Sequence, residues 1–278
     1  MSNKLFALST GAILDIAPTT NQTAAVTGNG AMKGRFPMKL GLALLGTTFA
    51  LCQVATAQQK TVYLGSAARF AVLSQAGITN VGNTVINGDI GVWPIAGTAI
   101  TGFSECNPGL PCAPENAGGP GKVNGYIWDH DSRLETTTAE HGVASMGIAF
   151  RDAKGRTGPF TAVNFDIGGS TFKPGLFRAN AVLAISGNVY LNGAGVYIFQ
   201  VGTGMNVGPN VQIILENGAT AANVFWQVGT AAIFKSNISF QGTVLAGSGI
   251  TLTTGTTVHG RLLANTAVTF INDTVTLP

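Results

Sequence analysis

The chain has 278 residues, a formal net charge of +3 and only 10% charged residues. The small charge, with no run of Lys or Arg interleaved with aromatic residues, argues against a nucleic-acid partner. An apolar fraction of 45% is enough for a packed core and argues against a disordered chain. The length suits one large β domain or two ordinary domains. A surface with so few charges must consist largely of Ser, Thr, Asn, Gln and Gly.

The N-terminal region predicts a secretory signal peptide. Its basic residues are Lys33, Arg35 and Lys39. They precede an apolar run at 40–52, and a small-x-small cleavage site at 55–57 stands before Gln58. The run has about 13 residues, too few to span a bilayer comfortably. We therefore expect a secreted, extracellular protein with no membrane partner.

Residues 1–57 are accordingly interpreted as an extension plus the signal peptide, and residues 58–278 as a single mature domain. A polar stretch precedes the signal, so we expect Met32 or Met38 to be the true start. The alternative is a disordered N-terminal tail followed by a core helix.

Two cysteines, Cys106 and Cys112, remain after removal of the signal, which contains Cys52. They lie in a segment at 102–125 that is rich in Gly, Pro and Asn and is predicted to be a loop. An exported chain meets oxidising conditions, which favours a local disulfide between them. Two thiols with no nearby histidine pair make a poor zinc site, and we expect no metal or cofactor.

Residues 62–101 have a β-like pattern, and one helix is predicted at about 137–154. Its apolar stripe consists of Val143, Met146, Phe150 and Ala153. Gly155 is a natural end for this helix. Such a stripe usually packs against a core.

The segment 171–277 is again β-like and superposes on itself when shifted by 18 residues. Two repeating columns are Trp226, Val244, Leu262 and Phe234, Leu252, Phe270. Earlier coils fit with insertions, and 78–88 parallels 250–260. A period of this length predicts an all-β fold, a triangular solenoid with about 18 residues per coil. The outward column Gln227, Leu245, Leu263 is partly apolar, so we expect the helix to cover it.

A four-residue motif recurs once per coil and is the candidate functional feature. Its first positions are Ala76, Thr98, Thr203, Thr230, Ser248 and Thr266. Its second positions are Gly77, Ala99, Gly204, Ala231, Gly249 and Ala267. Its fourth positions are Thr79, Thr101, Asn206, Ile233, Thr251 and Thr269. The third position faces the core, and the others face outward or lie at the corner.

Stacked coils place equivalent residues in straight ladders about 4.8 Å apart. The motif therefore predicts a flat, uncharged face of hydroxyls and methyls, with threonines whose χ1 is stiff. Such a face can order water through many weak, rigid contacts. The alternative is that Thr and Ser are simply favourable solvent-facing strand residues, with Gly at corners.

Eight segments are distinctive beyond the repeat: LGSA at 64–67, FAVL at 70–73, VINGDIGV at 85–92, TGF at 101–103, PGLF at 174–177, VYIFQ at 196–200, VFWQVG at 224–229 and GRLLA at 260–264. They span nearly the whole mature chain. Through these segments the sequence resembles the type 1 ice-binding proteins of snow moulds, yeasts, sea-ice diatoms and polar bacteria.

The resemblance implies a discontinuous right-handed parallel β-helix with one long α-helix packed alongside. It also implies adsorption to an ice crystal surface, thermal hysteresis and inhibition of recrystallisation, and we expect a monomer. Some bacterial members carry Thr-Ala/Gly-x-Thr/Asn on the ice face, which 98–101, 203–206 and 266–269 match fully. Ala76 and Ser248 depart at the first position and Ile233 at the last. The loop with Cys106 and Cys112 resembles a capping region of some members.

An enzyme of the polysaccharide lyase or hydrolase type would need clustered carboxylates on a groove-lining strand. Asp89, Glu216 and Asp273 are interpreted as outward acids at unrelated registers. The densest ionisable cluster, 129–131, precedes the helix, and His259 lies at a coil corner. We expect no catalytic residue.

The remaining alternative is an adhesin-like or carbohydrate-binding structural solenoid without ice activity. A carbohydrate site would favour aromatic platforms beside the ladder, whereas the nearby outward apolar residue is Ile233. Asn237 and Asn272 begin glycosylation sequons, which matter only in a eukaryotic secretory pathway.

Overall fold

The computed structural model describes residues 58–106, 117–130 and 137–278, which all fall within one compact unit. The predicted signal peptide and Cys112 lie outside the described residues, so the cleavage site and the disulfide stay predictions.

The described chain consists of short strands and one long helix. The first strands are β1 (Phe70–Ser74), β2 (Gly77–Val81), β3 (Val85–Asn87), β4 (Asp89–Val92), β5 (Ile100–Thr101), β6 (Phe103–Cys106), β7 (Ala117–Val123) and β8 (Ile127–Trp128). The helix α1 (Thr137–Gly155) follows. The remaining strands are β9 (Thr161–Ala162), β10 (Thr171–Phe172), β11 (Gly175–Ala179), β12 (Leu183–Ile185), β13 (Val189–Asn192), β14 (Tyr197–Val201), β15 (Met205–Val207), β16 (Ile213–Glu216), β17 (Val224–Val228), β18 (Ala232–Phe234), β19 (Ser239–Ala246), β20 (Ile250–Leu252), β21 (Thr257–Ala264), β22 (Ala267–Ile271) and β23 (Thr274–Thr276). Short 3-10 turns lie at Gly65–Arg69, Gly97–Ala99 and Ala221–Asn223.

Successive strands of each coil join three different ladders, and the named pairings are all parallel. The ladder beside the helix, called here the helix side, contains β9, β11, β14, β17, the last residues of β19 and β21, β1, β4 and β8. The second ladder, called the flat face, is a seven-stranded sheet in the order β12, β15, β18, β20, β22, β2, β5. The third side contains β10, β13 and β16, then the first residues of β19 and β21, followed by β23, β3 and β7. The protein is therefore a β-solenoid with one helix, as the sequence predicts.

The coils follow a discontinuous order along the chain. β1 pairs with β21, β2 with β22 and β3 with β23. The first coil of the N-terminal segment thus stacks on the last coil of the C-terminal segment, and α1 connects the two segments in sequence.

The 18-residue spacing holds where the repeat is clearest, since Trp226, Val244 and Leu262 are paired in register. The preceding coils are longer: Phe177 pairs with Phe199 and Phe199 with Trp226, spacings of 22 and 27 residues. The same three aromatic rings stack inside the solenoid, with centroids 4.7 and 4.1 Å apart. The columns predicted to point inward are fully buried.

The helix begins and ends within one residue of its predicted bounds and covers the column it was expected to cover. Leu245 and Leu263 belong to one buried cluster with α1. The buried face of the helix is Ala139, Gly142, Met146, Ala149 and Ala153. The predicted stripe is correct at Met146 and Ala153, whereas Val143 and Phe150 flank the contact half-buried. Small residues form the contact because they let the helix approach the sheet closely.

The predicted loop at 102–125 is wrong at both of its ends. Residues 103–106 form β6 and residues 117–123 form β7, which pair with each other. β7 also continues the third side through Val85 with Lys122 and Ile86 with Val123. Gly and Pro obscured this strand because their sequence signal is that of a turn.

Two acids interpreted as outward are in fact buried. Asp89 binds Arg69 Nε at 2.8 Å and accepts a hydrogen bond from Trp128 Nε1 at 2.9 Å. Asp273 is 1% exposed and accepts hydrogen bonds from the backbone N–H groups of Thr256 and Ile271, at 2.8 and 2.7 Å. Both carboxylates therefore form hydrogen bonds inside the fold and do not line a groove.

The helix contact can be tested at Gly142. A Cβ there would lie 2.6 Å from Cε2 of the buried Phe70 ring. The Gly142→Ala variant gains about 1 kcal/mol of helix propensity, but overpacking costs about 1–3 kcal/mol, so we expect a lower free energy of unfolding in urea. In the control Gly147→Ala, the new Cβ meets only the flexible Arg151 side chain at 3.6 Å, and we expect a gain. Equal changes in the free energy of unfolding for the two variants would contradict close packing of the helix at Gly142.

Asp273 gives the stability a pH dependence. Burial raises the pKa of its carboxyl from 3.8 to about 6, although two backbone N–H donors oppose the rise. Between these values the unfolded chain ionises Asp273 while the folded chain keeps it protonated, so stability is full below pH 3.8 and falls as the pH rises to about 6. The hydrogen bond from the Ser186 hydroxyl lowers the pKa of Asp166. The stability that the ionised Asp166 contributes is therefore lost only as the pH falls below the range in which Asp273 titrates.

We expect the melting temperature of the protein to fall as the pH rises from about 4 to about 6, with a loss on the order of 3 kcal/mol from Asp273. The Asp273→Asn variant lacks the titrating group, and its melting temperature should fall less steeply over the same range. Differential scanning calorimetry at several pH values measures both slopes. Parallel slopes would contradict the assignment.

Candidate functional site

The six motif copies are neighbours on the flat face. Their third positions are the buried residues Met205, Ala232, Ile250, Val268, Ile78 and Ile100. Their fourth positions pair consecutively in the order Asn206, Ile233, Thr251, Thr269, Thr79, Thr101. The alignment of the motif in sequence therefore corresponds to one straight column in space, which includes four consecutive threonines.

The flat face also contains a strand that the motif missed. β12 extends the sheet beyond β15, and Ala184 pairs with Asn206 in the fourth-position column. Its motif-equivalent residues are Ala-Val-Leu-Ala at 181–184, with no hydroxyl to identify them. The alternation of Leu183, Ala184 and Ile185 was the available signal. An isolated bridge from Asp166 to Ala184 follows at this end of the sheet.

The threonine hydroxyls of the column are available to water. Thr79, Thr101 and Thr251 are exposed and Thr269 is half-buried. Within the described residues, these four hydroxyls make no hydrogen bond to another protein group. They can therefore donate to and accept from water molecules without breaking an internal bond.

The first and second motif positions lie at the corner before this column. The first positions are exposed, except Ser248, which is half-buried. Among the second positions Ala267 is exposed and most others are half-buried. Gly77 is buried, contrary to the expectation of an outward position, and the Ala99 carbonyl oxygen lies 3.1 Å from where its Cβ would stand.

The corners before this face stack closely on one another. A Cβ on Gly229 would lie 2.2 Å from the Gly202 carbonyl oxygen, and one on Gly247 equally close to that of Gly229. At the opposite corner, Asn237 and Asn272 adopt left-handed backbone conformations, with φ of 59° and 55°. Asparagine tolerates this region better than most residues, which gives both sequon asparagines a structural role.

The third side is also polar, but its amide side chains bond to one another. Asn124 Nδ2 donates to Asn87 Oδ1 at 2.7 Å, and Asn87 Nδ2 donates to Thr276 Oγ1 at 3.0 Å. On the same side, Gln241 Oε1 and His259 Nδ1 are 3.2 Å apart. These groups are already hydrogen-bonded to one another, whereas the threonine hydroxyls of the column have no partner among the described residues.

The described residues give no support for metal or carboxylate chemistry. They contain no group of three or more His, Cys, Asp or Glu that could hold a metal ion. Asp129 is buried, with its carboxylate against Gly97, and the His130 ring lies 4.9 Å from that of Trp93. A cavity of about 680 Å³ beside β10 and β11 is lined mainly by apolar side chains such as Phe160 and Phe172, without a carboxylate. Among the described residues no helix is long and apolar enough to span a membrane.

The corner contact can be tested by adding one methyl group at two glycines. Gly229→Ala would place a Cβ 2.2 Å from a backbone oxygen that cannot move away without separating the coils, so we expect a clear loss of thermal stability. In Gly204→Ala the nearest atoms are the Ala231 oxygen at 3.3 Å and Thr230 Oγ1 at 3.6 Å, and we expect a near-neutral effect. Melting curves followed by circular dichroism compare them. A neutral Gly229→Ala would contradict close corner stacking.

Comparison with known proteins places this geometry in context. The family model described as Ice-binding-like matches residues 72–276. An ice-binding protein of Flavobacterium frigoris (strain PS1) is 38% identical over 221 residues, which cover 78% of this chain and 76% of that protein. An ice-binding protein of Colwellia sp. is 35% identical over 241 residues, 84% and 90% of the two chains. The crystal structure of an ice-binding protein from an Antarctic biological consortium superposes with a TM-score of 0.70 at 34% identity and covers 80% of this chain and 94% of that one.

Proposed function

Because the chain belongs to the ice-binding-like family, we propose that it is an antifreeze protein that adsorbs to ice through its flat face. One observation carries the proposal: four threonines on neighbouring strands form one column, and their hydroxyls have no hydrogen-bond partner among the residues that the structure describes. The eighteen motif residues predicted from the sequence are the proposed site, with Ala184 added and Gly77 acting as a spacer below the surface.

The spacing and stiffness of this column suit a solid lattice of water. Neighbouring strands repeat at about 4.8 Å and alternate residues along a strand at about 6.7 Å, so the outward side chains form a regular array. Threonine is stiff at χ1, which fixes each methyl and hydroxyl before contact. Little conformational entropy remains to be lost on adsorption, and many weak contacts can add up.

The part of the face that we propose to contribute most is the uninterrupted run from Thr251 through Thr269 and Thr79 to Thr101. On the other side of Thr251 the column continues with Ile233, which is 37% exposed, and then Asn206. An isoleucine lacks the hydroxyl, so the hydrogen-bonding pattern is broken there.

The finer features of the fold and setting belong to the same proposal. We propose right-handed winding because parallel strand crossovers are overwhelmingly right-handed, with triangular coils joined by three ladders. A secreted monomer without a catalytic site, inhibiting ice growth and recrystallisation, agrees with the predicted signal peptide and with relatives named as ice-binding proteins. The Cys106–Cys112 disulfide remains part of the proposal.

The test uses the same substitution on two faces. Thr251→Tyr places a bulky ring in the threonine column, and we expect thermal hysteresis to fall at least about five-fold, the loss of a central interface residue. The matched control Thr257→Tyr alters an exposed threonine on the third side, paired with Thr274, and should leave hysteresis unchanged. Nanolitre osmometry measures the hysteresis, and circular dichroism shows that both variants are folded.

Partitioning into a growing ice hemisphere provides a second readout on the same proteins. The wild type should concentrate in the ice, and Thr251→Tyr should stay largely in the liquid. A wild-type protein that remains in the liquid would reject ice adsorption and favour the structural or carbohydrate-binding solenoid. Equal losses for the two tyrosine variants would reject the flat face as the site.

A further inference from the structure

The flat face is widest at two neighbouring strands. β22 and β2 are five residues long and pair over their full length, from Gly77 with Ala267 to Val81 with Ile271. β12, β15, β18 and β20 have three residues each. β22 and β2 therefore present a further outward position beyond the threonine column, occupied by Val81 and Ile271.

Val81 is exposed to an extent that the fold does not require. It is 58% exposed, whereas the residues on either side of it along the strand, Asn80 and Gly82, are buried or half-buried. Its backbone oxygen accepts a hydrogen bond from Asn272 N at 3.1 Å, a contact that any side chain would permit. Ile271 is half-buried beside it. Exposing an apolar side chain in this place gains nothing for the core.

The two apolar residues continue the array of the proposed ice site. Alternation along β2 and β22 puts Val81 on the same surface as Thr79, and Ile271 on the same surface as Thr269, two residues away and about 6.7 Å along the strand. All four side chains are β-branched and stiff at χ1. Two adjoining side chains are far too small a patch for a stable protein interface, which needs roughly 800 Å² per partner.

We propose that Val81 and Ile271 are ice-contacting residues that widen the site and position the crystal over the adjoining threonines. This proposal rests on the proposed function and adds two residues outside the repeated motif. Their methyl groups fill the spaces between water molecules held by the threonine hydroxyls, and they form no hydrogen bond to water that the crystal would have to break.

The column of outward residues that contains Val81 and Ile271 also indicates where the wider part of the face ends. On the neighbouring strands, the positions equivalent to Ile271 are Thr253 and then Lys235. These two residues directly follow Leu252 and Phe234, which are paired in register. Thr253 Oγ1 lies 3.5 Å from Ser236 Oγ, and Lys235 is exposed. An ammonium group binds its own hydration water strongly, which opposes a continuous ice-like layer at this position. The additional apolar column is thus expected to end before the β18 coil, whereas the threonine column continues into it.

The experiment puts the same charge on two sides of the solenoid. Val81→Lys should reduce thermal hysteresis at least about five-fold, as expected for a residue at the centre of a contact surface. Thr257→Lys, on the third side, should leave hysteresis unchanged. Lys235→Thr removes the charge that limits the face, and we expect hysteresis to rise. Ice shaping during growth is recorded for each variant, and melting curves show that each is folded.

The outcomes separate this proposal from the function on which it rests. An inactive wild type would overturn ice adsorption itself. An active wild type with Val81→Lys at wild-type hysteresis would overturn the role of Val81 and Ile271 while leaving the threonine column in place. Equal losses in Val81→Lys and Thr257→Lys would also overturn it, because the loss would then follow net charge and not position.

Discussion

The structure depends on the in-register parallel stacking of successive coils. Each coil must contribute one residue to every column, and a slip of one position would turn the core residues outward and the polar residues inward. The corners fix this register. At the corner before the flat face, the Gly229 and Gly202 backbones approach so closely that a methyl group would not fit between them. At the opposite corner, Asn237 and Asn272 adopt left-handed conformations where the chain turns onto the third side.

Because the order of the coils is discontinuous, strands from both ends of the domain lie side by side on the flat face. The four-threonine column takes Thr251 and Thr269 from the last coils of the chain and Thr79 and Thr101 from the first. The helix that connects the two segments runs along the other side, over Leu245 and Leu263. Gln200 Nε2 donates to the last carbonyls of the helix, at 2.9 Å from Ala153 and 3.0 Å from Lys154, and so anchors its end to the sheet.

The three sides of the solenoid use similar polar residues for different purposes. The helix side is apolar and covered. The third side carries amides that hydrogen-bond along the axis, as Asn124, Asn87 and Thr276 do. The flat face carries hydroxyls and methyls, and the four threonine hydroxyls of its column have no hydrogen-bond partner among the described residues. The exposed Lys235 lies at the margin of this face. Such a division leaves the threonine hydroxyls of one surface available to water.

The sequence alone determined the class of fold and indicated the residues of the proposed site, because each column of the solenoid repeats a chemical type at a fixed spacing. Trp226, Val244 and Leu262 were identifiable as core, and the six motif copies were aligned, from periodicity only. Periodicity could not show that β2 lies beside β22 in the sheet. The two strands are far apart in the chain, and the pairing between them is a tertiary contact. The burial of Asp89 and Asp273, the shielding of Gly77 and the exposure of Val81 were likewise decided by the tertiary structure. Each depends on which neighbour stands above or beside the residue, and no local pattern in the chain encodes that neighbour.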